Sequence, residues 1–240
     1  MKNMNETGHA VNVDHFLQLK TITLGFGATY APGNPRIQQE ALETLYTNGK
    51  TANDAVAAPL ALWKDKVSAR QLVMAPLSKL TTRVARALKA SGAAEETIVQ
   101  VGSVIRKIQG SRSRTTETTK EGAEVRSISS SQLSITQRIS NFRALLELLA
   151  TIPSYVPSAA DIKIQALQTL LTDMEAANGA VISAEVLLTA ARQHRDTVLY
   201  APATGLTDVA QAVKDEVAAI FGFGSPAHKE LTRIRFTNPR

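Results

Sequence analysis

Apolar residues recur at intervals of three and four along most of this chain, the period of helices that bury one face. Ile139, Phe142, Leu145, Leu146 and Leu149 mark such a face and predict a helix over about 133–151. Leu167, Leu170, Leu171, Met174, Val181, Leu188, Ala191 and Val198 keep a coiled-coil-like spacing as far as Tyr200-Ala201-Pro202. That run predicts a helix of about 40 residues, roughly 60 Å long at 1.5 Å each. A similar run from 35 to about 75 contains Pro59, which predicts a kink. Phe16, Leu19 and Ile22 predict an opening helix over 13–25, after a polar tail at 1–12. Further helices are predicted over 77–91, 93–109 and 204–221, with Gly222 as a stop. Ser225-Pro226 predicts a last short turn, and Ile234, Arg235 and Phe236 read as extended.

The pattern occurs twice. Residues 41–63 agree with residues 166–188 at 10 of 23 positions, at a constant offset of 125, where chance would give one or two. The same offset pairs Tyr30-Ala31-Pro32 with Tyr155-Val156-Pro157, Arg70 with Arg195, and Val84, Ala85 and Lys89 with Val209, Ala210 and Lys214. A duplicated helical unit follows. Each proline ends one helix and starts another, with Asn34 and Ser158 as the expected caps. The expected organisation is a disordered tail (1–12), a first helical unit (13–110), a flexible linker rich in Ser, Thr and charge (111–132), and a second unit (133–240). Apolar faces too broad for one unit to cover predict that both pack as one bundle. The fold class is all-α: an elongated antiparallel bundle of two duplicated units with pseudo-twofold symmetry.

Composition narrows the function classes. The chain has no cysteine, so disulfides, thiolate metal sites and thiol catalysis are excluded, and a reducing compartment fits. No apolar stretch approaches the roughly 20 residues of a membrane span, and the first residues lack a signal-peptide core. A cytoplasmic protein is expected. The net charge of +6 is uneven: residues 1–110 hold 13 basic against 8 acidic residues, whereas residues 135–240 hold 10 of each. Units that diverge in charge can diverge in partner.

Candidate chemistry is sparse. Asn48-Gly49-Lys50-Thr51 ends like a phosphate loop, but Thr44 stands where a glycine is required and the segment reads as helix. His9, His15, His194 and His228 lack metal-ligand spacing, which leaves surface or capping roles, and no cofactor is expected. Asn53 and Asn178 occupy one repeat position among apolar neighbours. A buried asparagine can fix helix register, so both are expected to be largely buried in neighbouring helices. Arg70 and Arg195, also equivalent, are expected to meet carboxylates across helices. A ligand cleft using these four residues is a minor alternative. Lys79, Arg83, Arg86 and Lys89 form a basic stripe that, with Arg106, Lys107, Arg112 and Arg114, could meet phosphates.

Ser131-Gln132-Leu133-Ser134, Asn141-Phe142, Tyr155-Val156-Pro157, Arg195 to Tyr200 and Phe221 to Lys229 carry one further signal. In these motifs, over residues 22–237, the chain resembles a family of bacterial all-helical proteins with an internal duplication and no assigned activity. His228 stands where that family usually has tyrosine. The resemblance implies a helical protein and nothing catalytic. The leading expectation is a non-enzymatic structural or interaction protein with a protein partner or self-association. The alternative is a sequence-nonspecific nucleic-acid-binding accessory protein that uses the basic first unit and linker.

Overall fold

The computed structural model describes residues 8–110 and 134–238; the linker at 111–132 and residues 1–7 of the expected tail lie outside the described residues. Among these residues the protein is all-α, with packed helices and no strand. The helices are α1 (His9–Gly25), α2 (Gln39–Asp54), α3 (Ala57–Met74), α4 (Leu77–Ala90), α5 (Glu95–Gln109), α6 (Ile135–Ala150), α7 (Ile164–Tyr200), α8 (Leu206–Phe221) and α9 (Pro226–Thr232). Short 3₁₀ turns at Pro35–Ile37 and Ala160–Ile162 precede α2 and α7.

Local rules account for most boundaries. Pro59 has no N–H for the carbonyl of Ala55, and its ring crowds that oxygen. The run predicted over 35–75 accordingly breaks between α2 and α3, where Val56 N bonds Asn53 O at 3.3 Å in a tightened turn. Ala184 takes the place of Pro59 in the other repeat, and α7 runs unbroken for 37 residues. Asn34 caps as expected, its side chain accepting from Arg36 N at 3.0 Å. Ser158 does not; Ala159 precedes the second 3₁₀ turn and no side chain caps it. Residues 9–12, expected in the tail, are the first turn of α1, because Asn12 and Val13 are buried there.

The described residues divide into two compact units, and these cut across the sequence repeats. The first holds residues 8–63 and 184–238 and the second holds residues 64–110 and 134–183, so α3 and α7 contribute to both. In the first unit Phe16 and Leu19 of α1 and Leu42 of α2 share a core with Leu206, Val213 and Val217 of α8. In the second, Leu88 of α4 and Ile105 and Ile108 of α5 share one with Phe142 and Leu145 of α6 and Leu167 of α7. Each core therefore joins the front half of one repeat to the back half of the other.

Both fronts are fixed by the same device. The Tyr30 hydroxyl donates to Ile37 O at 2.8 Å, and the Tyr155 hydroxyl donates to Ile162 O at 2.8 Å. Both rings are buried, so each bond ties the Tyr-x-Pro turn to the 3₁₀ turn that starts the next helix. Tyr→Phe at either position leaves a buried carbonyl without its donor and should cost about 1–2 kcal/mol in denaturant unfolding. Burial also raises both phenol pKa values, that of Tyr155 from 10.0 to about 12. The folded state thus holds its proton where the unfolded chain has lost it. This contribution is fully present below pH 10 and fades as pH rises through about 12. Tyr155→Phe should flatten that alkaline slope.

Candidate functional site

The repeated polar residues separate in the structure. Asn53 lies in the last turn of α2, half-buried, with Nδ2 3.4 Å from Oδ1 of its neighbour Asp54. Asn178 lies in mid-α7, half-buried, and its Oδ1 accepts from Arg70 Nη1 at 3.0 Å. The expectation of two largely buried asparagines does not describe them: each belongs to a different unit and has a different kind of partner. The break imposed by Pro59 puts Asn53 at a helix end, whereas its counterpart stays in a helix interior.

The arginines also depart from expectation. Arg70 does reach across helices, from α3 to α7, but to an amide rather than a carboxylate, and its buried Nε has no hydrogen-bond partner. Arg195 meets a carboxylate, but that of Asp196 beside it on α7, through Nε at 2.9 Å and Nη2 at 2.8 Å. Both cases are local packing solutions.

The basic stripe on α4 is divided. Lys79, Arg83, Arg86 and Lys89 are all exposed, but Arg83 is held by Asp161 of the second 3₁₀ turn in a two-armed ion pair, with Nη2 2.9 Å from Oδ1. The hydrogen bond from Arg83 keeps the Asp161 carboxyl below the usual carboxylate range. Lys79, Arg86 and Lys89 have no ion-pair partner among the described residues. Asn48 to Thr51 lie within α2, where Lys50 pairs with Asp54 at 2.7 Å, so no phosphate loop forms.

Two features of the first unit escape the sequence pattern. One is an open groove of about 400 Å³ beside α2. Its floor is Ala41, Leu45 and Val209, and its rim includes Arg36, Glu40 and Asn48. Repeat alignment could have found the floor, because Ala166, Leu170 and Val84 are its equivalents at the offset of 125. The other is a polar cluster that holds the segment after α9. Asn12, 1 % exposed, accepts from Thr237 N at 3.1 Å and donates back to Thr237 O and to the Tyr200 hydroxyl. Lys214 Nζ donates to Ile234 O at 2.6 Å and lies over the Phe236 ring, while His15 Nδ1 lies 2.7 Å from Arg235 O. Burial lowers the Lys214 pKa. His9 Nδ1 sits 2.9 Å from the Tyr200 hydroxyl, and its pKa is lowered by burial and then by Arg195. These groups bond main chain or one another, an arrangement that fixes a segment in place. Nothing in the local sequence separated Asn12 from a polar tail.

Among the described residues no group of three or more His, Asp or Glu side chains is placed to hold a metal ion, and no helix is long and apolar enough to cross a membrane. No protein-family model, curated protein or solved structure matches the chain.

Proposed function

We propose that this is a non-enzymatic structural and protein-interaction protein of the cytoplasm, akin to the duplicated bacterial helical family its motifs resemble. Its repeats would be related by an approximate twofold axis in an elongated antiparallel bundle. One observation carries this reading. The buried polar side chains of both units, Tyr30, Tyr155, Asn12 and Lys214 foremost, bond main-chain groups of their own chain, so that polar chemistry is directed at holding a surface in shape. The groove beside α2 supplies an apolar floor with a mixed polar rim, the anatomy of a small interaction patch.

Light scattering after size exclusion, paired with affinity capture, tests the reading on the wild-type chain and on Thr44→Arg. Thr44 is exposed and lines the groove, so the arginine obstructs it without entering the core. Self-association or a retained protein should weaken about tenfold or more, which is 1.4 kcal/mol. A strict monomer that retains nothing, or an association indifferent to Thr44→Arg, would remove this proposal.

Lys79, Arg86 and Lys89 of α4, which have no ion-pair partner among the described residues, favour a second reading, sequence-tolerant nucleic-acid binding through the second compact unit. Arg86→Glu with Lys89→Glu leaves the Arg83–Asp161 pair intact and is the sharper probe. Binding should fall steeply with added salt and disappear in this variant, because counterion release would supply nearly all of it.

A further inference from the structure

The two units are built by the same exchange, and their docking residues are inverted between them. In the second unit the front half carries Asp161 and the back half carries Arg83, and the two form the two-armed ion pair on the 3₁₀ turn. Subtracting the offset of 125 from Asp161 gives Arg36, and adding it to Arg83 gives Asp208. In the first unit these two converge on one residue, Ala203. Arg36 Nη1 donates to Ala203 O at 3.4 Å, and Ala203 N donates to Asp208 Oδ2 at 2.9 Å. The cation therefore sits on the front half in one unit and on the back half in the other.

Side-chain size is exchanged as well. Gly49 of α2 is buried so closely that a Cβ would lie 3.0 Å from Leu206 Cδ1 and 3.4 Å from Leu199 Cδ2. Its counterpart in the second unit is Met174, fully buried in that core, and the counterpart of Leu206 is Thr81, also fully buried. A small front residue meets a large back residue in the first unit, whereas in the second the equivalent positions hold a large front residue and a small back one.

We propose that these inversions form a partner-selection code: each repeat's front half accepts the other repeat's back half and rejects its own, which keeps a front half from pairing with the same repeat's back half in a second copy of the chain. A front half set against its own repeat's back half would face Arg36 with Arg83, or Asp161 with Asp208. It would also set Gly49 opposite Thr81, leaving a void, or Met174 opposite Leu206, forcing an overlap. With two repeats of one helical pattern on one chain, such pairing between copies is the natural competitor, and like charges and mismatched volumes are the usual means of excluding one.

The test uses the full chain, refolded from denaturant across a range of protein concentrations and sized by light scattering. Arg83→Asp with Asp161→Arg keeps opposite charges facing in both units but makes the two fronts alike and the two backs alike. The wild-type chain should return as one species at every concentration. The double variant should show a several-fold rise in larger, exchanged species as concentration increases. Arg83→Ala with Asp161→Ala removes the ion pair without giving both fronts one sign, and it should refold as a single species. An ion pair with a merely structural role would make these two double variants behave alike. Should a charge variant fail to refold, Gly49→Met with Leu206→Thr removes the size inversion alone and is read in the same way. A charge-swapped double variant and a size variant both as uniform as the wild-type chain would overturn the proposal.

Discussion

Gly205→Ala should be among the most damaging single-methyl changes in the chain, with a loss on the order of 3 kcal/mol in unfolding experiments. Gly205 precedes α8 in the turn that follows Tyr200-Ala201-Pro202, and its N–H bonds Ala201 O at 2.7 Å. A Cβ there would lie 2.5 Å from Ala201 N, 2.7 Å from Ala201 O and 2.8 Å from the Tyr200 carbonyl carbon. All three are backbone atoms, so no side chain can swing aside; the turn itself must open. Its φ of −70° is ordinary, which makes the requirement for glycine one of space rather than of left-handed conformation. Opening the turn would shift Leu206 and Val209, which are core residues of the first unit. It would also disturb Ala203, already in the left-handed region at φ 62° and held by Arg36 and Asp208. Amide hydrogen exchange should show protection lost first around α8 and α1. Gly222→Ala is the comparison: there the neighbourhood is open, and the cost comes from a φ of 90° alone. A Gly205→Ala chain as stable as the wild type would refute this account of the turn.

Much of the fold is legible in the sequence because the relevant physics is local. The 3–4 period of Ile139, Phe142, Leu145 and Leu149 marks the buried face of α6, and all four are buried. Pro59 against Ala184 distinguishes a broken helix from a continuous one, since a missing N–H acts within four residues. The turns at Tyr30 and Tyr155 are visible as a motif, although the carbonyl each hydroxyl would find is not. Assignment of the cores is different in kind. Periodicity shows that α1 and α8 each have an apolar face, but not which faces meet, because every face is equally apolar. The exchange between repeats is written in departures from the repeat: Arg36 against Asp161, Gly49 against Met174, Leu206 against Thr81. Attention to identities such as Asn53 with Asn178 pointed away from it. The polar cluster at Asn12 was illegible for a related reason. Its partners lie beyond residue 195, and a polar residue near a chain end carries no local sign of burial.

Expressed alone, residues 133–240 should not fold, whereas residues 64–183 should give a cooperative thermal transition with strong helical circular dichroism. The first segment is a complete sequence repeat, and the second is no repeat at all. Within 133–240, α6 and the start of α7 keep their apolar faces but lose Leu88, Val101, Ile105 and Ile108, which share their core. The front of α8 likewise loses Val13, Phe16, Leu19 and Leu42. Four such side chains at about 2 kcal/mol each represent roughly 8 kcal/mol. That is comparable with the 5–15 kcal/mol by which whole domains are stable, so neither half-core should survive. Residues 64–183 retain every member of their own cluster, from Met74 to Met174, together with the Arg83–Asp161 and Arg70–Asn178 contacts. They also retain the Tyr155 lock, so Tyr155→Phe should lower the transition of this fragment as it does that of the full chain. The outcome that would sink the exchanged-core reading is the reverse one: a cooperative, helical 133–240 beside an unfolded 64–183. That result would mean that each repeat closes on itself and that the cores do not combine the front of one repeat with the back of the other.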